Sequence, residues 1–413
     1  MSSMALSCFL KFKPFKIPSL SANNVFSFGI QSLSMPPDPQ KQFDSKMCAW
    51  QIHSYGDLGE LRMSDCVRVP KLLSPDDILI EVFAASVNPI DIAMMGGYGS
   101  SLLNAIRRAK NCEFSGIEFP LSLGRDFSGI VVAKGYQVSG INVGDEVWGV
   151  VPPHSQGSHA GKVLVNKSLV QLKPKILTRI EAGSMPYTAM TAWSSLKITG
   201  DLMLTSAKTK KVLVLGSSGG VGTMAVQLLK IWGAQVIATC RTDATSLIES
   251  LGADGVIDYT HPDAWKMIKE LGKYDIILDA AGLGSEKGTE YAQYLKDLEF
   301  SKYITLKSPL LHNVDQYGFV GGMIKNLVDI IVPNIKTNTI STGSTVRWGF
   351  FIPLAEALHE ISHLAEDGRL TPCVEKIYGF NDVPAAFERV MCGHLRGKIV
   401  IDVQNKLVST KKD

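Results

Sequence analysis

Residues 213–230 read LVLGSSGGVGTMAVQLLK, an apolar run that passes through a glycine-rich turn into an amphipathic run. The glycines of the turn are Gly216, Gly219, Gly220 and Gly222. In a βαβ unit, such a turn lets the pyrophosphate of a dinucleotide approach backbone N–H groups at a helix N-terminus, where a side chain would collide with it. The first interval departs from the G-x-G-x-x-G spacing, but strand, turn and helix have the expected lengths. We therefore predict a bound dinucleotide, the alternative being a tight turn that serves helix packing alone.

The end of the next predicted strand indicates which dinucleotide is bound. A site for NAD places Asp or Glu there, about 20 residues after the glycines, to bind the ribose hydroxyls. This chain has Cys240-Arg241-Thr242 at that point, and the Arg241 guanidinium suits a 2′-phosphate. We expect Asp243 to cap the following helix. The sequence thus favours NADPH over NADH, unless Arg241 is a solvated turn residue.

Predicted strands and helices divide the chain into three parts. From Cys48 to about residue 185, short apolar runs separated by turn residues predict mostly β structure, with one turn at Gly144-Asp145. From about residue 189 to 350, strands alternate with helices, which is typical of a parallel sheet with helices on both faces. The rest is mixed and ends in the strand GKIVIDV. The predicted class is α/β.

Composition excludes several classes of protein. The 413 residues are 45% hydrophobic, which suffices for two or three domains with a sizeable core. The seven cysteines show no C-x-x-C spacing and no paired histidines, so they predict neither a zinc site nor a disulfide scaffold. The longest apolar candidate, GFVGGMIKNLVDIIVP from Gly318, is interrupted by Lys325, Asn326 and Asp329. This interruption argues against a transmembrane helix.

The first 46 residues differ from the rest of the chain. Eight serines lie before residue 35, Lys11, Lys13 and Lys16 supply positive charge, and no acidic residue precedes Asp38. This composition is typical of an organellar transit segment. We expect a mitochondrial protein, in the matrix or at the inner membrane, with a plastid protein or a disordered cytosolic tail as alternatives. Removal of residues 1–46 lowers the formal charge from +3 to zero, so the mature protein lacks the positive charge of a nucleic-acid binder.

Several short motifs occur together in one order along the chain. They are SVNPIDIAMMGGYG, LGRDFSGIVV, GDEVWG, PYTAMTAW, GSSGGVG, LGADGVIDY and GHLRGKIVIDV. From residue 47 to 404 the chain resembles the medium-chain dehydrogenase/reductase superfamily and, within it, the zinc-free quinone oxidoreductases. The runs RWGFF from Arg347 and GHLRGK from Gly393 are similar to those of the mitochondrial reticulon-interacting oxidoreductases.

The resemblance implies a fold and its domain boundaries. A GroES-like, mostly β catalytic domain would comprise residues 47–188 and 351–404. A Rossmann domain with a doubly wound parallel sheet, which binds NADP, would comprise residues 189–350. Residues 1–46 would be the transit segment and residues 405–413 a tail. Zinc-dependent members have a Cys and a Gly-His-Glu where this chain has Asn88 and Gly124-Arg125-Asp126, so the resemblance implies a site without metal.

Two residues are candidates for the chemistry. A site without metal must stabilise the oxyanion on the acceptor with hydrogen-bond donors alone. In related mitochondrial enoyl reductases a tyrosine in a Tyr-Gly pair is the proton donor, and by resemblance Tyr98 takes that role here. A phenol with a pKa near 10 is protonated at physiological pH. Asn88 can offer an amide N–H to the same oxygen, and the alternative for both residues is an ordinary turn position.

The remaining candidate residues would bind the cofactor. By resemblance, the pyrophosphate is bordered by Ser218, Gly219, Gly220, Val221 and Gly222, the adenosine end by Arg241 and Tyr259, and the nicotinamide half by Leu306, while the cleft is closed by His394, Arg396 and Lys398. Taken alone, Tyr259 and Leu306 are equally typical of a sheet core, and the three basic residues of a solvated loop.

We expect an NADPH-dependent, zinc-free oxidoreductase that reduces a lipophilic quinone in ubiquinone metabolism. One rival is reduction of an enoyl thioester, whose CoA or carrier phosphate would meet Arg107, Arg108 and Lys110. Another is NADPH binding with little turnover in a partner of a reticulon-type membrane protein. Residues 100–119 and 308–335 are additions to the plain quinone reductase pattern, and we expect them to shape the acceptor pocket, with membrane-surface contact or a packed lid as alternatives. A homodimer is left open.

Overall fold

Antiparallel sheets are formed by the amino-terminal part of the chain. The computed structural model describes residues 46–111 and 118–405. The predicted transit segment except Lys46, the predicted tail from residue 406, and residues 112–117 of the first predicted insertion lie outside them. The amino-terminal strands are β1 (Lys46–Ile52), β2 (Arg62–Arg68), β3 (Asp77–Val87), β4 (Leu121–Ser122), β5 (Asp126–Lys134), β6 (Glu146–Val150), β7 (Lys162–Asn166) and β8 (Val170–Leu172).

A parallel sheet follows, as the alternation of strands and helices predicts. Its strands are β9 (Lys211–Leu215), β10 (Gln235–Cys240), β11 (Gly255–Asp258), β12 (Ile276–Asp279), β13 (Lys302–Thr305) and β14 (Thr345–Trp348). Within the described residues the spatial order is β11-β10-β9-β12-β13-β14, and every neighbouring pair is parallel. The order reverses beside β9, which places the start of the glycine-rich turn at the switch point where such sheets bind ligands.

The last part of the chain returns to the first sheet. Strands β15 (Val374–Gly379) and β16 (Lys398–Asp402) complete it in the order β15-β16-β3-β5-β6-β8, with β7 also paired to β3. Strand β16 runs antiparallel to β3, with Ile399 opposite Val87. A mostly β part built from both ends of the chain and a doubly wound parallel sheet confirm the predicted fold class. The domain boundaries themselves stay a prediction.

Helices connect and cover the sheets. They are α1 (Pro89–Met95), α2 (Ser100–Asn111), α3 (Arg179–Ser184), α4 (Pro186–Ser194), α5 (Gly220–Ile231), α6 (Thr245–Ser250), α7 (Ala264–Glu270), α8 (Ser285–Tyr291), α9 (Leu310–Lys336), α10 (Thr339–Thr342), α11 (Ala355–Glu366) and α12 (Val383–Met391). The two predicted insertions form α2 and α9. Their contact begins at the N-terminus of α2, where the Asp315 carboxylate accepts the N–H groups of Gly99 (2.6 Å) and Ser101 (2.9 Å).

Helix α9 differs from the expectation that no segment could span a membrane. By length and composition it could do so, and only 17% of its apolar window is buried. It is not one straight rod, because Gly318 has φ 71° and ψ 177°. The Asn326 amide donates to the Leu310 carbonyl oxygen at 3.1 Å, whereas a straight helix would separate these residues by about 24 Å. The chain therefore reverses at Gly318, and the two arms of α9 pack against each other.

Candidate functional site

The glycine-rich turn joins β9 to α5, and each glycine has its own role. Gly216 has φ +71°, and a Cβ there would lie 2.8 Å from the backbone of Ala281. A Cβ on Gly222 would lie 2.3 Å from the Gly216 carbonyl oxygen, so this glycine allows α5 to pack on the turn. A Cβ on Gly219 would meet nothing nearer than that oxygen at 3.7 Å. Gly219 therefore faces open space in front of a helix N-terminus, which fits a phosphate group.

A cleft of about 670 Å³ lies in front of this turn. Ten of the predicted site residues line it, namely Asn88, Ser218, Gly219, Gly220, Val221, Arg241, Tyr259, His394, Arg396 and Lys398. Among the described residues, three predicted ones are not part of its wall: Gly222, which packs inside α5, Leu306, which lies against Gly349 after β13, and Tyr98. The structure therefore brings ten of the thirteen predicted residues together at one cleft, and their roles stay a prediction.

The segment Gly393–Lys398 crosses from one side of the cleft to the other. The N–H of Gly397 donates to the Ser218 carbonyl oxygen at 2.8 Å, and Arg396 Nη1 donates to Ser218 Oγ at 3.3 Å. One residue further, Lys398 Nζ donates to Asn88 Oδ1 at 2.5 Å. This segment thus joins the glycine-rich turn to the end of β3.

The outer end of the cleft is charged. Arg241 is exposed directly after β10. Asp243 is not the helix cap expected from the sequence, because α6 starts at Thr245 with Ala244 before it. Its carboxylate instead accepts two bonds from Arg396 Nη2 at 2.6 and 2.7 Å, and these bonds hold the pKa of Asp243 below its usual range. Asp243, two residues after Arg241, is therefore paired with a second arginine.

Aromatic side chains form the wall beside this charged end. Tyr259 is 45% exposed at the tip of β11, and Trp265 in α7 is 46% exposed. The Trp265 ring lies 5.0 Å from that of Tyr291, and all three residues line the cleft. Sequence reasoning missed Trp265 and Tyr291. An exposed tryptophan in the first turn of the helix after β11 is the signal that could have identified the first.

A buried cluster closes the inner end of the cleft around Asn88. The Asn88 amide donates to Asp126 Oδ2 at 2.8 Å and, on the same side, to Ser86 Oγ at 3.4 Å, which itself donates to that carboxylate oxygen, so one amide hydrogen serves both. Its oxygen accepts from Lys398. Asn88 therefore orients the groups around it, and its role as a donor to the acceptor stays a prediction.

Lys398 and Asp126 are a buried pair of opposite charges, with Nζ 3.6 Å from Oδ2. Burial lowers the pKa of the Lys398 ammonium, and the Asp126 carboxylate opposes that shift. Burial raises the pKa of Asp126, which Lys398 and the bonds from Asn88 and Ser86 oppose. Lys398 also lines the cleft, with its ammonium bonded to Asn88 Oδ1 and to the Val87 carbonyl oxygen.

Tyr187 is a cleft residue that the sequence reasoning did not assign. It lies in the first turn of α4, where its backbone N–H donates to the Asp126 carboxylate, and its ring stacks on Phe351 at 4.3 Å. Burial, with Asp91 adding to it, raises the pKa of its hydroxyl far above the usual range, so the hydroxyl keeps its proton. The motif PYTAMTAW contained this residue, and the proline that starts the helix was its signal.

Tyr98, the predicted proton donor, lies beside the cleft. It stands between Gly97 and Gly99, whose φ values of +92° and +79° set the loop, and its hydroxyl donates to the Ser308 carbonyl oxygen at 3.4 Å. Burial, together with Asp315, raises its pKa. Tyr98 therefore connects the two inserted segments at the rim, while Tyr187 occupies the wall.

The residues that replace the zinc ligands of the superfamily are engaged with protein groups. Arg125 is completely buried, with Nε 3.4 Å from Asp91 Oδ1 and Nη1 2.8 Å from the Pro152 carbonyl oxygen. Within residues 46–111 and 118–405, no group of three or more His, Cys, Asp or Glu side chains could hold a metal ion. A site without metal stays a prediction.

Comparisons with known proteins give the family. The family described as "Alcohol dehydrogenase GroES-like domain" matches residues 74–175, and the one described as "Zinc-binding dehydrogenase" matches residues 251–401. The "NAD(P)H oxidoreductase RTN4IP1, mitochondrial" of Drosophila melanogaster is 41% identical over 94% of this chain and 94% of its own. The "2-methylene-furan-3-one reductase" of Solanum lycopersicum is 30% identical over 86% of this chain and 79% of its own.

Solved structures agree on the architecture. The quinone oxidoreductase from Coxiella burnetii superposes with a TM-score of 0.70 over 87% of this chain and 100% of its own, at 24% identity. At that identity the likeness shows the fold alone.

Proposed function

This chain belongs to the mitochondrial NAD(P)H oxidoreductases of the medium-chain dehydrogenase/reductase superfamily, and we propose that it transfers a hydride from NADPH to a quinone. The family confirms the predicted mitochondrial localisation and the NAD(P)H-dependent oxidoreductase activity. The choice of NADPH, the quinone and a role in ubiquinone metabolism are the proposal.

The fit of the cofactor is supported by the turn and by the charge at the outer end of the cleft. Gly219 leaves open space before α5, where backbone N–H groups can bind the pyrophosphate. Arg241 lines the outer end of the cleft, where its guanidinium can bind a 2′-phosphate, and Arg396 pairs with Asp243, which would otherwise repel that phosphate. NADH has no 2′-phosphate, so its ribose would offer Arg241 no anionic partner. We therefore expect a preference for NADPH.

The observation that carries the proposed reaction is the pair of donors at the inner end of the cleft. Tyr187 and Lys398 both line the wall there; the backbone N–H of Tyr187 donates to the Asp126 carboxylate, and the Lys398 ammonium lies 3.6 Å from it. When bound, NADPH supplies the hydride. The Lys398 ammonium stabilises negative charge on a carbonyl oxygen of the acceptor, and the Tyr187 hydroxyl can give that oxygen a proton.

A quinone suits these groups because its ring carbonyls accept hydrogen bonds and its body is apolar. The quinone gains one hydride and one proton, which together make the hydroquinone, and a proton from water restores the tyrosine. Val87, Pro89 and the ring of Tyr187 supply apolar wall beside the donors. Asn88 keeps Lys398 and Asp126 in place during the transfer.

Reduction of a C=C bond conjugated to a carbonyl is the second candidate. It needs the same hydride and oxyanion stabilisation, and the tomato relative is named for such an enone. The enoyl thioester version is less well supported, because Arg107 already donates to Asn104 (2.6 Å), to the His154 carbonyl oxygen (3.0 Å) and to that of Pro153 (3.3 Å). Burial lowers the pKa of Arg107 to about 10. Of the three predicted phosphate ligands, Arg108 and Lys110 remain exposed.

Turnover of NADPH with different acceptors distinguishes the two candidate reactions from each other and from a protein that only binds NADPH. NADPH oxidation by the purified protein is measured with a short-chain ubiquinone analogue, a small enone and an enoyl thioester in parallel. The proposal expects the quinone to give the highest kcat/KM. Binding of NADPH with no oxidation on any acceptor would favour the interaction partner, and a preference for the enone or the thioester would overturn the quinone.

A further inference from the structure

We propose that the outer face of α9 binds the surface of an anionic phospholipid bilayer and holds the acceptor side of the cleft against it. In this face, called the α9 stripe below, each side chain is between 40% and 72% exposed. The stripe consists of Phe319, Val320, Met323, Ile324, Leu327, Val328, Ile331, Val332 and Ile335. It runs for about 24 Å along the second arm of the helix. Monomeric soluble proteins rarely expose a continuous apolar surface of this extent.

In this arm the polar side chains face the protein and the apolar ones face outward, the reverse of a surface helix in a soluble protein. Asn326 is buried and bonds Asn313, and Asp329 is bonded by Lys325 and by Asn313 at 2.8 Å. Apart from Lys325, whose side chain is 44% exposed, the exposed side chains between Tyr317 and Ile335 are apolar or aromatic. A helix that turns its polar side inward indicates that the medium outside is apolar.

The helix is attached to the body and cannot leave it to cross a membrane. Asn334 pairs with both backbone groups of Val346 in the edge strand β14, accepting at 2.9 Å and donating at 3.0 Å. At the other end, Gly322 packs on the first arm, where a Cβ would lie 2.6 Å from Val314 Cα. The stripe therefore lies in the plane of the interface, as monotopic helices do.

Charge at the stripe selects an anionic lipid surface. Both carboxylates of α9 are taken up by protein groups: Asp315 by the N-terminus of α2, and Asp329 by Lys325 and Asn313. The exposed charge at the end of the stripe is the Lys336 ammonium. The Lys325 ammonium is paired with Asp329, so Lys336 supplies the positive charge toward lipid headgroups. Tyr317 and Phe319 at the reversal supply aromatic rings of the kind found at membrane interfaces.

The position of α9 relates this surface to the cleft. Ser308, two residues before the helix, accepts the hydroxyl of Tyr98 at the rim, and Asp315 holds the next residues of that loop. The choice of lipid over a protein partner rests in part on the proposed function, because a long-chain quinone is dissolved in the bilayer. Docking through the stripe would bring the rim to the phase that contains the acceptor.

The test compares the full chain with two double variants on vesicles. The vesicles contain phosphatidylcholine and about one third phosphatidylglycerol. The stripe variant carries Ile324→Gln and Leu327→Gln. The control carries Leu73→Gln and Leu204→Gln, which remove leucines that are 83% and 86% exposed outside the stripe. We expect the unmodified chain and the control to float with vesicles equally, and the stripe variant to partition at least about tenfold less.

Two further measurements keep the outcomes distinct. All three proteins should have one mass in solution and the same kcat/KM on a soluble short-chain quinone, while the stripe variant alone should lose turnover of long-chain ubiquinone in vesicles. The proposal is overturned if the unmodified chain does not bind vesicles, if the stripe variant binds as well as the control, or if the unmodified chain is a dimer that the stripe variant makes monomeric. If no quinone is reduced in any form, the proposed function fails, and vesicle binding still decides the present proposal.

Discussion

Replacing Gly219 by valine should abolish cofactor binding and leave the fold intact. Gly219 has φ −77° and ψ 172°, extended backbone that valine adopts readily, and the first atom a Cβ would meet is 3.7 Å away. We expect the free energy of unfolding to change by no more than about 1 kcal/mol. The added methyl groups would occupy the space of the pyrophosphate. Loss of two charge-assisted hydrogen bonds would cost about 3–6 kcal/mol of binding, or at least a hundredfold in Kd.

Thermal unfolding with and without NADPH measures both effects. At a concentration one hundred times the Kd of the unmodified protein, the cofactor stabilises it by about 2.7 kcal/mol, and the same concentration should stabilise the variant by less than about 0.4 kcal/mol. Gly222→Ala is the contrasting control, because its Cβ would lie 2.3 Å from the Gly216 oxygen and should destabilise the fold by about 1–3 kcal/mol. An unchanged NADPH effect in Gly219→Val would refute the assignment of the turn.

Three other predictions concern charge and proton transfer. Arg241→Ala should raise the Kd for NADPH about tenfold to 150-fold and change the Kd for NADH little, which titration of both cofactors would measure. An equal increase in both Kd values would show that Arg241 is not the phosphate ligand. Tyr187→Phe should lower kcat on an enone by about 10² to 10³, and kcat on a quinone by less, since a hydroquinone anion can take a proton from water. Tyr98→Phe should lower kcat less than Tyr187→Phe does. The reverse order would make Tyr98 the proton donor. Burial, with Lys110 adding to it, lowers the pKa of His154 to about 4. As the pH falls, the unfolded state therefore binds a proton at His154 before the folded state does. The free energy of unfolding should decrease by about 1 kcal/mol between pH 6.5 and 4, a value that includes solvent screening. Urea unfolding of His154→Gln should show a smaller loss over that range, and an identical loss would contradict the assignment.

Local pattern was sufficient for most of the fold. The apolar run before Gly216 became β9, the amphipathic run became α5, and the predicted alternation of strands and helices became the parallel sheet. These features depend on periodicity and on the backbone freedom of glycine within a few residues. For α9 local pattern was not sufficient. Lys325 and Asp329 interrupt the apolar run in sequence, but on a helix they fall one turn apart and pair with each other on the inner face.

By itself, the sequence determined the nucleotide-binding turn, the alternation that makes a parallel sheet, and the composition of the cleft. The tertiary structure decided what each polar group can do. Asp126 and Lys398, 38 and 310 positions away in the chain, engage one N–H of the Asn88 amide and its oxygen. Asp126 also accepts the backbone N–H of Tyr187 at the wall, and the Ser308 carbonyl oxygen accepts the Tyr98 hydroxyl at the rim. A hydrogen-bonding group is free or engaged according to which distant side chains the fold brings within about 3 Å of it, and no local pattern encodes that distance.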